Sequence, residues 1–132
     1  MSTQTTIQVV GSGSWGLALA RVLANNGHRV RVWCRPEDNP DELRETRESE
    51  VFLPGVRIPD SIVIDTETEP DVDIAVLAVP SHVMRTVLES HEFAARTVRV
   101  NVAKGIENDS LMLMDEVIRD VHGDIPTVTL SG

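Results

Sequence analysis

A β-branched apolar run, Thr6-Ile7-Gln8-Val9-Val10, stops at Gly11, and a run with helical spacing starts after Gly16. Between them stands Gly11-Ser12-Gly13-Ser14-Trp15-Gly16, a G-x-G-x-x-G pattern. A strand feeding a glycine turn that feeds a helix commits the chain to a βαβ beginning, and each glycine has its own task there. Gly11 makes the tight turn, Gly13 lets a pyrophosphate approach the backbone, and Gly16 lets helix and strand pack closely. Unpaired N–H groups of the first helical turn, with the helix dipole behind them, then face the phosphates. The motif in this setting points to dinucleotide binding; a ligand-free glycine turn is the structural alternative.

The rest of the chain keeps the alternation. Ser14 is the expected N-cap of a helix to about Asn26, with Leu19, Val22 and Leu23 on one face beside Ala18. Asn25-Asn26-Gly27 is a stop signal. A second strand is expected at 29–33, ending in Cys34-Arg35-Pro36, and Asn39-Pro40-Asp41-Glu42 reads as a capped helix start. Strands are expected at 61–65, 74–79, 98–102 and 127–130. The unbroken apolar character of Ile74 to Val79 fits a central parallel strand covered on both faces. Ser81 is the expected cap of a helix to about Glu89. Asp109 or Ser110 is expected to cap another, with Leu111, Met114, Val117, Ile118 and Val121 on one stripe.

Right-handed crossovers then give an α/β fold: a Rossmann-type doubly wound parallel sheet in one domain, 1–132, with strand order 3-2-1-4-5-6. Ligands in such sheets lie at the carboxyl ends of the strands. That rule collects Gly11 to Trp15, Arg35, Pro80 to His82, Lys104 and Gly132 along one edge.

Composition narrows the function. At 132 residues the chain holds one domain with a real core and has no room for a complete two-domain oxidoreductase. A net charge of −9 argues against a nucleic-acid partner. The single cysteine, Cys34, excludes an internal disulfide framework and suits a reducing cytoplasm. No signal peptide is visible, and the longest apolar stretch is too short to span a bilayer.

With those edge residues placed, the chain resembles the N-terminal domain of glycerol-3-phosphate dehydrogenases that use NAD or NADP. The resemblance rests on the glycine motif with Leu17-Ala18-Leu19-Ala20, on Val32-Trp33-Cys34-Arg35 and on Phe52-Leu53-Pro54-Gly55. It continues through Val79-Pro80-Ser81-His82, Ala103-Lys104-Gly105-Ile106-Glu107 and Leu130-Ser131-Gly132. These pieces occur in family order over essentially the whole chain. The resemblance implies hydride transfer between nicotinamide and glycerol 3-phosphate or dihydroxyacetone phosphate, supplying glycerol 3-phosphate for phospholipid synthesis. It implies cofactor contacts at Gly11, Ser12, Gly13, Ser14, Trp15, Gly16, Arg35 and Lys104, and substrate contacts at Lys104 and Gly132. It places the general-base lysine and most substrate-phosphate ligands in a helical C-terminal domain that this chain does not contain, so no catalytic base is expected here. A homodimer is expected of the complete enzyme. Ser49 and Phe52 stand where the family usually has Asn and Tyr, in a loop near the cofactor.

Several roles stay open on the residues alone. Arg35 meets the 2′-phosphate of NADP, or it pairs with Glu37 or Asp38, acids that would serve the 2′-hydroxyl of NAD. Trp15 packs on the core or contacts cofactor. Lys104 holds substrate and steadies developing alkoxide charge, or it points to water. His82 caps or packs beside the fourth-strand loop rather than acting as a base, and no metal site is expected. The alternatives to the enzyme domain are a stand-alone dinucleotide-binding regulatory module and a related hydroxy- or keto-acid dehydrogenase domain.

Overall fold

The computed structural model describes residues 4–130. Six parallel strands, β1 (Thr6–Val10), β2 (Arg29–Trp33), β3 (Val63–Asp65), β4 (Ile74–Leu77), β5 (Val98–Asn101) and β6 (Thr127–Thr129), form one sheet in the order β3-β2-β1-β4-β5-β6. This is the expected doubly wound order. Helices α1 (Ser14–Asn25) and α2 (Pro40–Thr46) cover one face, where Leu17, Ala20 and Leu43 pack on Val9, Val32, Ile64 and Val76. Helices α3 (Met84–Ser90) and α4 (Met114–His122) cover the other, packing Met84, Leu88, Val117 and Ile118 on Val10 and Leu77. Connections leave β1 and β4 toward opposite faces, so the two strands part at their carboxyl ends and open a crevice there.

Several local expectations are corrected. Ser14 is the first residue of α1 and Gly13 occupies the cap position, with no side-chain cap bond. The buried stripe of α1 is Gly16, Leu17 and Ala20, and Val22 is 54 % exposed. Close approach of α1 to the sheet selects the smallest residues for the contact face, which turns Val22 outward. Nor does α4 begin at Asp109 or Ser110. Leu111 adopts φ +61° and is exposed, while the Ser110 hydroxyl donates to Glu107 and accepts the Met112 N–H. The Leu113 N–H finds Glu116 Oε1 at 2.9 Å, and that carboxylate caps the real helix start. Likewise β3 starts at Val63, β4 ends at Leu77 and β6 ends at Thr129, each shorter than the apolar run suggested. At α2 the expected cap holds: Asn39 accepts the Glu42 N–H.

Arg85 on α3 ties this face to the loop after β5. Its guanidinium reaches Glu107 through two bonds, 2.8 and 3.0 Å, and Asp120 on α4 at 2.7 Å. The guanidinium and the Ser110 hydroxyl hold the Glu107 carboxyl below its usual range. A carboxyl depressed by folding stabilises the native state above its unfolded value, near about pH 4.3, and loses that contribution as pH falls through the lower native value. Glu107→Gln therefore lowers the urea midpoint at neutral pH and lowers it less in acid. Midpoints measured from neutral pH to about pH 3 check this, and parallel curves for the two proteins would refute it.

Candidate dinucleotide site

A cleft of about 640 Å³ lies at the carboxyl ends of β1, β2 and β4. Its walls include Gly11, Ser12 and Gly13, then Arg35 to Asp38, Phe52, and Ala78 to Pro80 with His82. The tasks of Gly11 and Gly16 separate cleanly from that of Gly13 on steric grounds. Gly11 has φ +125°, and a Cβ there would stand 2.3 Å from the Ala78 carbonyl oxygen. A Cβ on Gly16 would stand 2.4 Å from the Gly11 carbonyl oxygen. The fold itself needs both. Gly13 has φ −75° and ψ −175°, open to any residue, and a Cβ there would meet nothing within 4 Å. No steric contact with the protein's own atoms requires a glycine at 13.

Beside Gly13 the first α1 hydrogen bond is Leu17 N–H to the Gly13 carbonyl, 3.0 Å. The N–H groups of Ser14, Trp15 and Gly16 precede it and have no intrahelical acceptor. Their combined positive end faces the open space above Gly13, a ready place for a diphosphate. Ser12 is buried, and its hydroxyl acts to lower the pKa of the nearby Cys34 thiol. Burial nonetheless pushes that thiol up, which keeps Cys34 protonated and inert.

Arg35 follows β2 and precedes a single 3₁₀ turn, Pro36–Asp38. It is exposed, and its guanidinium grips Asp38 through Nε–H to Oδ2, 2.9 Å, and Nη2–H to Oδ1, 3.0 Å. Phe52 lines the same cleft from the loop that the family resemblance placed near a cofactor. Ser49 holds that loop by accepting the Phe52 N–H at 3.2 Å.

Not every expected residue joins the cleft wall. Ser14 and Trp15 are exposed beside it, Trp15 by 56 %, which overturns core packing for that ring. Lys104 is exposed on the loop after β5, next to Gly105 at φ +106°, and lies outside the wall. Gly132 falls outside the described residues. Ser81 does not cap α3, whose cap position is Val83; it opens a 3₁₀ turn, Ser81–Val83, that presents His82 to the cleft.

Sequence reasoning missed the far wall, formed by Trp33, Thr86, Ser90 and His91. His91 bonds the Thr68 hydroxyl at 3.1 Å and sits edge-on to Trp33, 4.8 Å between rings. Burial, then the neighbouring His122, holds its imidazole below the usual histidine range. No spacing in the sequence marks His91, because tertiary packing alone brings it to Trp33. Among the described residues no cluster of three or more His, Cys, Asp or Glu could hold a metal ion. No helix there is long and apolar enough to cross a membrane.

Residues 6–132 match the family model of the NAD-dependent glycerol-3-phosphate dehydrogenase N-terminus. A glycerol-3-phosphate dehydrogenase [NAD(P)+] of Agathobacter rectalis is 44% identical over 125 residues, covering 91% of this chain and 36% of that protein. One from Lactobacillus delbrueckii subsp. bulgaricus is 41% identical over 137 residues, covering 96% of this chain and 40% of that protein. The chain thus spans about two fifths of the length of such curated relatives. The crystal structure of glycerol-3-phosphate dehydrogenase from Coxiella burnetii superimposes with a TM-score of 0.84 at 28% identity, over 98% of this chain and 41% of that one. A ketopantoate reductase family structure from Ralstonia eutropha, 16% identical with a TM-score of 0.69 over 94% of this chain and 39% of that one, shares the fold alone. By its glycine-lined crevice, its sheet order and these matches, the chain belongs to the family of NAD-dependent glycerol-3-phosphate dehydrogenase N-terminal domains.

Proposed function

We propose that this chain is the dinucleotide-binding domain, 1–132, of an enzyme that interconverts glycerol 3-phosphate and dihydroxyacetone phosphate, in the service of phospholipid synthesis. The observation that carries the reading is Gly13, the cap of α1, where open space in place of a Cβ leaves room for a close-lying ligand. The residues present fit a dinucleotide. The Gly11–Gly13 backbone and the N–H groups of Ser14, Trp15 and Gly16 would hold the diphosphate. When bound, the nicotinamide supplies the hydride acceptor or donor. Lys104, a cation on the loop after β5, would bind substrate and cofactor and steady alkoxide charge as it develops. Gly132 completes the substrate side in this reading. The general-base lysine is assigned to the remaining three fifths of the full-length protein, as is most of the homodimer contact. The lone buried Cys34 fits a reducing cytoplasm.

Both NAD and NADP are assigned to the site, with a slight preference for NADP through Arg35. Calorimetric titration with NADH and NADPH, repeated on Arg35→Ala, tests this. Both bind the unsubstituted chain, and the substitution weakens NADPH about tenfold to a hundredfold, the range of a lost charge-assisted hydrogen bond. NADH changes far less. Binding of neither cofactor, by this chain and by the full-length protein, would overturn the reading and favour a purely structural glycine turn.

The sheet also carries an apolar half-face that supports a second domain. In register, Val76, Val100 and Val128 form one row across β4, β5 and β6, on the side of α1. Val76 is 6 % exposed and Val128 is 48 %, because the cover from α1 and α2 thins from β4 toward the β6 edge. The enzyme's remaining chain is the proposed cover. The isolated domain should then self-associate through this row, and Val128→Lys should lower the association. Sedimentation velocity of the two proteins checks it; equal association would clear this face.

A further inference from the structure

We propose that Arg85 is a positioning residue for Lys104: by clasping Glu107 it fixes the short arc 104–106 against the turn that borders the dinucleotide cleft. The inference rests on the substrate and cofactor role proposed above for Lys104. Lys104 is exposed on its loop, so the core does not fix its place; the backbone on either side does. Before it, the Ala103 N–H donates to Asn101 Oδ1 at 2.9 Å, at the end of β5. After it, Glu107 uses every polar group it has. Its N–H donates to the Met112 carbonyl, and its carbonyl accepts the Leu111 N–H, both at 2.8 Å. Its carboxylate takes the Arg85 fork, Nε–H to Oε2 at 2.8 Å and Nη2–H to Oε1 at 3.0 Å. Between the two anchors lie only Lys104, Gly105 and Ile106.

The clasp also joins this arc to the cleft. Arg85 is the second residue of α3, which directly follows the Ser81–Val83 turn whose His82 and Val83 line the wall. Gly105 lies against the same turn: at φ +106°, a Cβ there would stand 3.7 Å from Ser81 Oγ. The Arg85 Nη1–H donates to Asp120 on α4 at 2.7 Å, so a second helix steadies the guanidinium. Two carboxylates around one guanidinium leave no net cation for a ligand, and a bidentate fork sets direction as well as attraction. The cluster is built to hold a loop. Its value to Lys104 follows from preorganisation. A cation steadies developing charge best when it already stands in place as the reaction begins. A misplacement of about 1 Å in such a group costs up to about a hundredfold in rate.

The test is steady-state reduction of dihydroxyacetone phosphate by NADH in the full-length enzyme, with thermal midpoints to show that each variant folds. The variants are Arg85→Ala, Glu107→Gln, Asp120→Asn, Lys104→Ala and the double variant Arg85→Ala/Lys104→Ala. Arg85→Ala should lower kcat about tenfold to a hundredfold, the cost of a displaced group. Glu107→Gln should lower it in the same direction, since it leaves the fork one neutral acceptor. Asp120→Asn removes an exposed bond of Arg85 that does not reach the arc, and should keep kcat within about twofold. In the Lys104→Ala background, Arg85→Ala should cost less than about threefold further, because its effect runs through the lysine. An undiminished kcat in Arg85→Ala overturns the proposal, as does a loss that persists in full without Lys104. The clasp would then serve stability alone or act by another route. Should Arg85→Ala fail to fold, Glu107→Gln with and without Lys104→Ala makes the same comparison. Full activity in Lys104→Ala with NADH still bound would remove the lysine's role and this proposal, and leave the dinucleotide reading in place. Failure of the unsubstituted enzyme to bind NADH or NADPH would remove all three.

Discussion

Gly11→Ala loses a large share of the domain's stability, whereas Gly13→Ala keeps the stability and loses the dinucleotide. At Gly11 two costs add. The new Cβ would stand 2.3 Å from the Ala78 carbonyl oxygen and 2.9 Å from its carbon, backbone atoms of the central strand region that no rotamer change moves aside. Overpacking of this kind costs about 1–3 kcal/mol. A φ of +125° adds strain of about 1–3 kcal/mol for an alanine. Together these come to about 2–6 kcal/mol, a large share of the roughly 5–15 kcal/mol that stabilises a small domain. Gly13 carries neither cost, having an extended backbone and open space at the Cβ position. Its methyl would occupy the volume next to the α1 N–H groups, and a diphosphate seated there would lose about tenfold or more in affinity, about 1.4 kcal/mol per decade. Urea unfolding and NADH titration of the two variants separate the effects. A destabilised Gly13→Ala would show that its glycine serves the fold, and the ligand argument would fall with it.

The second large effect is expected at Arg99, the buried cation of β5. It is 2 % exposed and has no carboxylate partner among the described residues. Its guanidinium instead donates to the carbonyls of Phe93, Ala94 and Thr97, at 2.8 to 3.1 Å, and to His122 Nδ1 at 3.2 Å. Because Nδ1 accepts, Nε2 carries the proton, and it donates to the Leu88 carbonyl at 2.8 Å. Burial lowers the arginine pKa, and the carbonyl dipoles and the Phe93 ring, 5.7 Å away, offset the desolvation. Arg99→Leu removes the charge and takes the guanidinium donors from the Phe93 and Thr97 carbonyls and the His122 ring nitrogen, while the Ala94 carbonyl keeps the Thr97 N–H. Each orphaned group costs about 1–3 kcal/mol, so a loss of about 3 kcal/mol or more is expected in urea unfolding. Arg99→Lys should recover little, since an ammonium lacks the fork that spans these acceptors. A loss under about 1 kcal/mol for Arg99→Leu would show that water replaces the arginine. The site depends on this pin indirectly. Two residues on, Asn101 accepts the Ala103 N–H at 2.9 Å and shapes the strand end that leads to Lys104.

These two residues mark what a linear reading reaches. The Gly11 and Gly16 requirements are visible in the motif, because a strand-turn-helix of that length has one close approach to make. Arg99 is not visible. Its alternation in Val98-Arg99-Val100 reads as a solvent-facing residue, and only α4 folding back over β5 buries it. Val22 failed in the opposite direction: periodicity made it a core candidate, and the closeness of α1 to the sheet put Ala20 there instead. The start of α4 was misplaced for a local reason. Ser110 is an acceptable cap by type, but its hydroxyl is already spent on Glu107 and Met112.

By itself the sequence determined the strand order, the glycine turn and the edge of the sheet where the cleft opens. Those follow from hydrophobic period, turn chemistry and crossover handedness, all of which act over a few neighbouring residues. Tertiary structure alone decided that Asp38 clasps Arg35 where Glu37 does not, that His91 joins Trp33 in the far wall, and that Trp15 stays in solvent. Side-chain direction across an inter-element gap depends on how helices and strands are spaced, and that spacing is a property of the packed whole.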